Sequence, residues 1–241
     1  DNLVGFIGGP PCPDFSVAGK QRGRYGDNGK LSLSYVQLII SQQPDFFLFE
    51  NVKGLWKTAK HREFYEELKT MLSESGYYMT DRLTNAIEFG APQNRDRILL
   101  FGVNKKLFPN CTENPLVDFP WKKYIKYSLK DLKQIKWPTT AEFNENSIME
   151  CPTDIPRELT VQYWFEKNDV ENHPNGKECF VPRSGITKML SVAEGDDSKK
   201  SYKRLHRWRY SPTAAYGNNE VHIHPYLPRR ISVSEALAIQ S

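Results

Sequence analysis

The feature that most constrains this sequence is residues 8–16, Gly-Gly-Pro-Pro-Cys-Pro-Asp-Phe-Ser, in which prolines enclose a cysteine. The short apolar run Leu3–Ile7 precedes it, and its flanking glycines predict a buried β-strand. The glycines permit a sharp turn at the strand end, and the prolines restrict the backbone on both sides of Cys12. The pattern therefore predicts a thiol on a stiff loop at the edge where ligands bind in open α/β sheets.

Cys12 has two interpretations. A single cysteine is most simply a small buried apolar residue. A thiolate is also a strong nucleophile, and a rigid loop that leaves the sheet is a poor place for core packing. We therefore take Cys12 as the candidate nucleophile.

Length and cysteine use narrow the class of protein. The 241 residues suffice for one large domain, or for one large and one small domain. No apolar run approaches the roughly 18 residues of a membrane span, and no secretory segment opens the chain. The four cysteines lie far apart without a CxxC pair, which argues against a zinc site or a disulfide framework and predicts a reducing, intracellular setting. The chain has no initial Met and stops within a helical pattern, so both ends are predicted to be cut.

Basic residues cluster in two places, although the net charge is only +4. The first cluster follows the cysteine and the second is interleaved with Tyr202, Trp208 and Tyr210. Such clusters suit a phosphate backbone and stacked bases, or else form a solvated basic face. Their members are Lys20, Arg22, Arg24 and Lys30, and Lys203, Arg204, His206, Arg207 and Arg209.

Strands and helices alternate along the first hundred residues, which predicts an α/β fold. The Gly-rich residues 16–30 predict a mobile lid or binding loop. A right-handed crossover through the next helix would bring the first strand beside the second. The predicted helices are 31–43 and 60–75, and the predicted later strands are 46–49, 77–83 and 98–103.

Three charged side chains lie at predicted strand ends. Glu50 is either an acid that faces water or caps the next helix, or a general acid held protonated by partial burial. Arg95 and Arg97 alternate with Asp96, so both arginine side chains could lie on one face of a strand. A guanidinium is planar and has several donors, which suits the recognition of a planar group with acceptor atoms. A surface Arg-Asp ladder is the alternative.

Three motifs in order resemble those of the DNA cytosine carbon-5 methyltransferases of bacterial restriction-modification systems: Pro11-Cys12, Glu50-Asn51-Val52 and Gln93-Asn94-Arg95-Asp96-Arg97. Residues 210–217 and 229–240 resemble later segments of that family. The resemblance covers residues 1–104 and 205–241. It implies part of a Rossmann-like S-adenosylmethionine-dependent sheet at 1–104, a smaller target-recognition domain at 105–204, and a return segment at 205–241.

The resemblance also implies roles for individual residues. Cys12 would attack carbon-6 of a cytosine flipped out of double-stranded DNA, while Glu50, Arg95 and Arg97 bind the base and S-adenosylmethionine supplies the methyl group. No metal is implied, and the location implied is the bacterial cytoplasm, at the nucleoid. The family's pattern places Pro10, Pro11 and Leu31 at the cofactor and Ser16, Lys20, Arg22, Arg24 and Thr213 at the DNA.

The sequence departs from the family in lacking its Gly-rich cofactor loop, the acidic residue for the cofactor ribose and the final Gly-Asn motif. The isolated chain is therefore expected to bind S-adenosylmethionine weakly or not at all, to transfer no methyl group, and to leave one apolar sheet edge unpaired. A preceding segment or a complementary chain would supply the missing part. Two alternatives remain: a tRNA cytosine carbon-5 methyltransferase and a non-catalytic DNA-binding subunit.

Overall fold

A computed structural model describes residues 2–11, 27–182, 185–199, 201–213 and 221–240. The chain divides into two compact units, one within residues 1–84 and 96–124 and the other within residues 85–95 and 125–241. The boundary predicted at residue 104 falls inside the first unit, and that predicted at residue 204 falls inside the second. The functional division into catalytic, recognition and return segments stays a prediction.

The first unit contains a four-stranded sheet in the order β1-β2-β5-β3. The strands β1 and β2 are parallel, as the crossover predicts, and β5 runs antiparallel to β2. The sheet is mixed and its strands alternate with helices in the sequence, which agrees with the predicted α/β class. The strands are β1 (Gly5–Gly8), β2 (Phe46–Val52), β3 (Tyr77–Asn85) and β5 (Asp96–Asn104), and the helices are α1 (Asp27–Gln42), α2 (Gly54–Lys57) and α3 (Ala59–Glu74).

Burial alternates along β2, so its two faces have different neighbours. Phe47 and Phe49 are buried in a core that also includes Val36 of α1, Leu68 of α3 and Ile98 of β5. Because side chains alternate in direction along a strand, Glu50 lies on the opposite face from these phenylalanines. The sheet therefore buries one face under its helices and leaves the Glu50 face more open.

The edge strand β1 and the residues just before it carry apolar side chains that are not covered in the described part of the chain. Ile7 is 76% exposed, and Leu3 and Val4 are also exposed. Among the described residues, β2 is the only strand that pairs with β1. This agrees with the expectation of one unpaired apolar edge.

The second unit is built from short elements and long connections. Two small parallel pairs, β4 with β7 and β6 with β8, lie among the helices. Its elements are β4 (Gln93–Asn94), α4 (Leu129–Leu132), α5 (Val161–Lys167), α6 (Ile186–Leu190), β6 (Tyr202–Arg204), β7 (Ser211–Pro212), β8 (Val221–Ile223) and α7 (Val233–Ala238), with 3₁₀ turns at Ala86–Phe89 and Arg157–Leu159.

The main core of the second unit joins segments that are distant in the sequence. Val161 and Phe165 of α5 pack with Leu205 and with Ile231 and Ile239. In addition, the buried Gln93 side chain donates a hydrogen bond to the Ile239 carbonyl at 3.0 Å. This core therefore draws on residues from both sides of the predicted boundary at 204.

Several predicted boundaries need correction. The loop predicted for residues 16–30 is wrong at its end, since α1 begins at Asp27, and Asp and Asn favour helix N-termini. Residues 12–26 lie outside the described residues. The short helix α4 begins where the Ser128 hydroxyl accepts the Asp131 N–H. No helix in the described ranges is long and apolar enough to cross a membrane.

Candidate active site

The turn after β1 brings the backbone against the Glu50 side chain. A Cβ atom placed on Gly9 would lie 2.8 Å from Oε2 of Glu50, closer than the 3.4 Å at which ordinary contact begins. The absence of a Cβ at Gly9 therefore lets the backbone approach the Glu50 carboxylate without displacing it. Sequence reasoning assigned Gly9 only the turn. Since Gly9 is three residues before Cys12, the chain leading to the candidate nucleophile passes directly over the candidate acid.

Glu50 forms an ion pair with Arg97 across the two antiparallel strands. Arg97 Nε lies 2.6 Å from Glu50 Oε1. The register explains the contact, because Arg97 is opposite Val52 and thus diagonal to Glu50 on the same face of the sheet. A second guanidinium nitrogen of Arg97, Nη1, donates to the Asp96 carbonyl at 2.8 Å. Two nitrogens of the Arg97 guanidinium therefore have acceptors, and the Glu50 side chain stays partly exposed.

A second ion pair, missed by sequence reasoning, lies beside the first. Lys53 Nζ is paired with the Asp96 carboxylate. Both residues lie at the motifs in the sequence: Lys53 follows Asn51-Val52, and Asp96 lies between the two arginines. A search for opposite charges across the predicted strands would have found the pair. The pair ties the end of β2 to the start of β5, where Glu50 and Arg97 meet.

Cys12, Ser16, Lys20, Arg22 and Arg24 lie outside the described residues. Their predicted roles therefore stay predictions. The described approach of Gly9 to Glu50 is the nearest observation to the thiol.

The residues predicted at the cofactor offer an apolar surface at the end of β1. Leu31 is 45% exposed and lies one helical turn before Tyr35 on the same face of α1. Tyr35 packs over Gly8, where a Cβ would lie 2.5 Å from its ring. Pro10 is half-buried and Pro11 is exposed. This partly open apolar edge is compatible with one side of an adenosyl group, and the role stays a prediction.

The remaining predicted residues belong to the second unit. The Arg95 N–H donates to Asn85 Oδ1 at 3.2 Å, and its carbonyl accepts from the Ala86 N–H at 3.0 Å, which fixes its backbone. Thr213 is exposed and donates its hydroxyl to the Asn94 carbonyl at 2.8 Å. The predicted phosphate contact of Thr213 would have to use a hydroxyl that already has this partner.

The second basic cluster, predicted to suit nucleic acid, is largely buried: Arg204, His206 and Arg207 lie inside the unit, whereas Lys203 and Arg209 are partly exposed. Arg204 is only 1% exposed, and its guanidinium donates to the carbonyls of Val192, Met189 and His224 at 2.6–2.9 Å. It also stacks on the Phe143 ring, 3.7 Å from its centroid. A buried guanidinium must find acceptors for its donors, and backbone carbonyls supply them here. Burial lowers the pKa of Arg204 to about 10.

Arg207 is buried in the same way, with an acidic partner. Its guanidinium donates two hydrogen bonds to the Glu194 carboxylate, at 2.7 and 2.8 Å, and another to the Ser147 hydroxyl, and its backbone N–H also donates to Glu194. Glu194 therefore lies inside the unit, although the sequence around it is polar. The aromatic members Tyr202 and Trp208 are buried too. The positions of charged residues along the sequence could not distinguish these buried arginines from exposed ones.

Metal binding has no support in the described part of the chain. Its His, Cys, Asp and Glu side chains form no group of three or more that could hold a metal ion. Cys111, Cys151 and Cys179 are free thiols.

Comparison with known proteins yields matches over the whole chain. The family model for C-5 cytosine-specific DNA methylase matches residues 1–241. The chain is 60% identical over 239 residues to the Type II methyltransferase M.NmeDI of Neisseria meningitidis serogroup C, covering 99% of this chain and 55% of that protein. It is 34% identical over 160 residues to the Type II methyltransferase M.FnuDI of Fusobacterium nucleatum, covering 66% of this chain and 46% of that protein. The chain thus spans about half the length of these relatives.

A solved structure of a prophage-encoded protein from E. coli shares the fold. Its TM-score is 0.56 at 24% sequence identity, and the match covers 99% of this chain and 68% of the other. The described strands and helices therefore belong to a fold already seen in an experimental structure.

Proposed function

The chain belongs to the C-5 cytosine-specific DNA methylase family, and from this premise we propose that it carries the catalytic half of an enzyme that methylates carbon-5 of cytosine in double-stranded DNA. The observation that carries the proposal is the approach of Gly9 to the Glu50–Arg97 pair. It brings the loop of the candidate nucleophile to a carboxylate that is already oriented by a guanidinium.

The proposed reaction begins on a cytosine flipped out of the duplex, because carbon-6 is not accessible to a thiolate inside the base stack. The Cys12 thiolate attacks carbon-6 and forms a covalent bond. Protonated Glu50 donates a hydrogen bond to ring nitrogen 3 and accepts one from the exocyclic amino group, so its proton stabilises the negative charge that develops on the ring. After methylation, loss of the carbon-5 proton expels the thiolate and restores the aromatic ring.

Arg97 has two tasks in this scheme. Its Nε orients Glu50, as the 2.6 Å contact supports, and its Nη2, which has no partner in the described part of the chain, would reach the carbonyl oxygen at carbon-2 of the base. A preorganised carboxylate–guanidinium pair costs little reorganisation during the reaction. S-adenosylmethionine, when bound, supplies the methyl group, and Pro10, Pro11 and Leu31 would contact one side of it.

Covalent trapping tests the proposal. With S-adenosylmethionine present, duplex DNA carrying 5-fluorocytosine at the target should form a stable adduct with the protein that contains this chain, because carbon-5 then bears fluorine in place of the proton whose loss would expel the thiolate. Cys12→Ser should abolish the adduct, since a serine hydroxyl is much less ionised and less nucleophilic. Cys111→Ser, which alters an exposed thiol, serves as the control and should trap normally.

Glu50→Gln separates chemistry from binding in the same assay. We expect methyl transfer to fall by about 10²-fold or more, because an amide has no acidic proton to supply to ring nitrogen 3, while duplex affinity stays within about twofold. An adduct that maps to a residue other than Cys12 would refute the assignment of the nucleophile. Trapping by tRNA and not by duplex DNA would refute the proposed substrate.

A further inference from the structure

A cavity in the second unit is lined by two lysines that lie outside the basic cluster at residues 203–209. Its volume is about 350 Å³, and it opens between the turn Phe89–Ala91, the irregular segment at 126–127 and helix α5. Its wall includes Gly90, Lys126, Tyr127, Tyr163, Trp164 and Lys167. We call this the Lys126–Lys167 cavity.

The backbone around Lys126 is fixed by the preceding 3₁₀ turn. The N–H groups of Lys126 and Tyr127 both donate to the Glu88 carbonyl, at 2.8 and 3.1 Å. Gly90 ends that turn with a positive φ of 94°, and a Cβ there would lie 3.3 Å from Cδ of Lys126. The glycine therefore supplies the left-handed conformation and leaves space for the lysine side chain.

The second ammonium group is positioned by aromatic rings. Lys167 Nζ lies 4.2 Å from the centroid of the Trp164 ring and 5.9 Å from that of Tyr163. The indole N–H donates to the Glu158 carbonyl at 2.8 Å, which fixes the ring. A cation over an aromatic face is attracted to it yet keeps its hydrogen-bond donors.

The charges in the cavity do not cancel. Neither lysine has an acidic partner in the described part of the chain, and the Tyr163 hydroxyl makes no hydrogen bond there. Glu158 is the carboxylate of the wall, and it accepts the hydroxyl of Tyr127. Two ammonium groups against one carboxylate leave a net positive charge, together with a phenolic donor.

We propose that the Lys126–Lys167 cavity binds a phosphodiester group of the DNA substrate, an inference that rests on the proposed function. Lysine acts on phosphate as a mobile point charge with three donors, and such contacts position a duplex without reading its sequence. The cavity wall also leads directly into the segment that ends at Arg95, within the same unit. The DNA contact of this unit is thereby assigned to these two lysines and not to the buried Arg204 and Arg207.

The salt dependence of duplex binding tests the inference. In the protein that contains this chain, Lys126→Ala with Lys167→Ala should lower the slope of log affinity against log salt by about 0.9, the value for one lost phosphate contact on B-DNA. The loss in affinity should be equal for duplexes of different sequence, because a phosphate contact carries no base information. Lys126→Arg with Lys167→Arg should restore the slope.

The matched control removes the same charge from the same unit. Lys130 and Lys136 are exposed, and Lys130→Ala with Lys136→Ala should leave the slope unchanged. Equal slopes for the two double variants would overturn the inference while leaving the proposed function intact. If the unaltered protein failed to bind duplex DNA at all, the proposed substrate would be wrong and the inference would be overturned with it.

Discussion

Replacing Gly9 with alanine should separate activity from stability. The added Cβ would lie 2.8 Å from Glu50 Oε2, whereas ordinary contact begins at 3.4 Å, so the carboxylate must move by up to about 0.6 Å. Its other oxygen lies only 2.6 Å from Arg97 Nε, so the movement disrupts the ion pair. A displacement of about 1 Å in a reacting group can cost about 10²-fold in rate. We expect methyl transfer to fall by about 10- to 100-fold.

The free energy of unfolding should change little in the same variant. Gly9 has no positive φ, so alanine fits the backbone and reduces the entropy of the unfolded chain, which stabilises by about 0.4–1 kcal/mol. The weakened Glu50–Arg97 pair is partly exposed and costs about 0.2–1 kcal/mol. The two contributions oppose each other, and the net change should stay within about 1 kcal/mol of zero.

Two measurements on the protein that contains this chain check the prediction: single-turnover methyl incorporation into duplex DNA, and unfolding in urea. Gly102→Ala is the contrasting control, because its Cβ would lie 2.2 Å from the fully buried Phe47 ring and should cost about 1–3 kcal/mol of stability. In a Glu50→Gln background, Gly9→Ala should have little further effect on turnover, since both changes act on the same carboxylate. Unchanged turnover in the single variant would refute the reasoning.

Two further predictions concern the second unit. Arg204→Met should lower the free energy of unfolding by about 3 kcal/mol or more, because several buried carbonyls lose their donor. As the control, Lys203→Met should change the free energy of unfolding by less than about 0.5 kcal/mol. Urea unfolding of both variants measures the difference, and equal effects would contradict the burial argument. Burial, with smaller effects from Lys203 and Arg230, lowers the pKa of His222 to about 4 from about 6.5. The unfolded chain therefore binds a proton that the folded protein does not, and stability should fall by up to about 1.4 kcal/mol per pH unit as the pH drops from about 6.5 towards 4. His222→Phe should reduce this slope in unfolding measured at pH 7.5, 6 and 5, and an identical slope would rule out His222 as its source.

The motifs of the first unit were predictable because they are local. Each lies at the end of an apolar run whose length and flanking residues define a strand, so β1, β2 and β5 could be placed from the sequence. The parallel pairing of β1 with β2 is confirmed, as is the resemblance to the cytosine methylase family. The contact of Gly9 with Glu50 was not predictable, because it depends on how closely two backbones approach.

The second unit was predicted less well, since its stabilising contacts join distant residues. Arg207 reaches Glu194 and Ser147, the latter 60 positions away, and charge patterning along the sequence contains no sign of such pairing. An arginine beside aromatic residues has the same local signal on a DNA surface and in a polar core. Only the burial of Arg204 and Arg207 distinguishes the two cases.

The hydrogen bond between Gln93 and the Ile239 carbonyl has a consequence for synthesis on the ribosome. It spans 146 positions, and the core that surrounds Val161 and Phe165 also needs Ile231 and Ile239. The first unit can form its sheet once residue 124 has emerged, whereas the second must wait for more than a hundred further residues. During that delay α5 has no partner for its apolar side, so the nascent chain passes through a stage that is prone to aggregation and suited to chaperone binding.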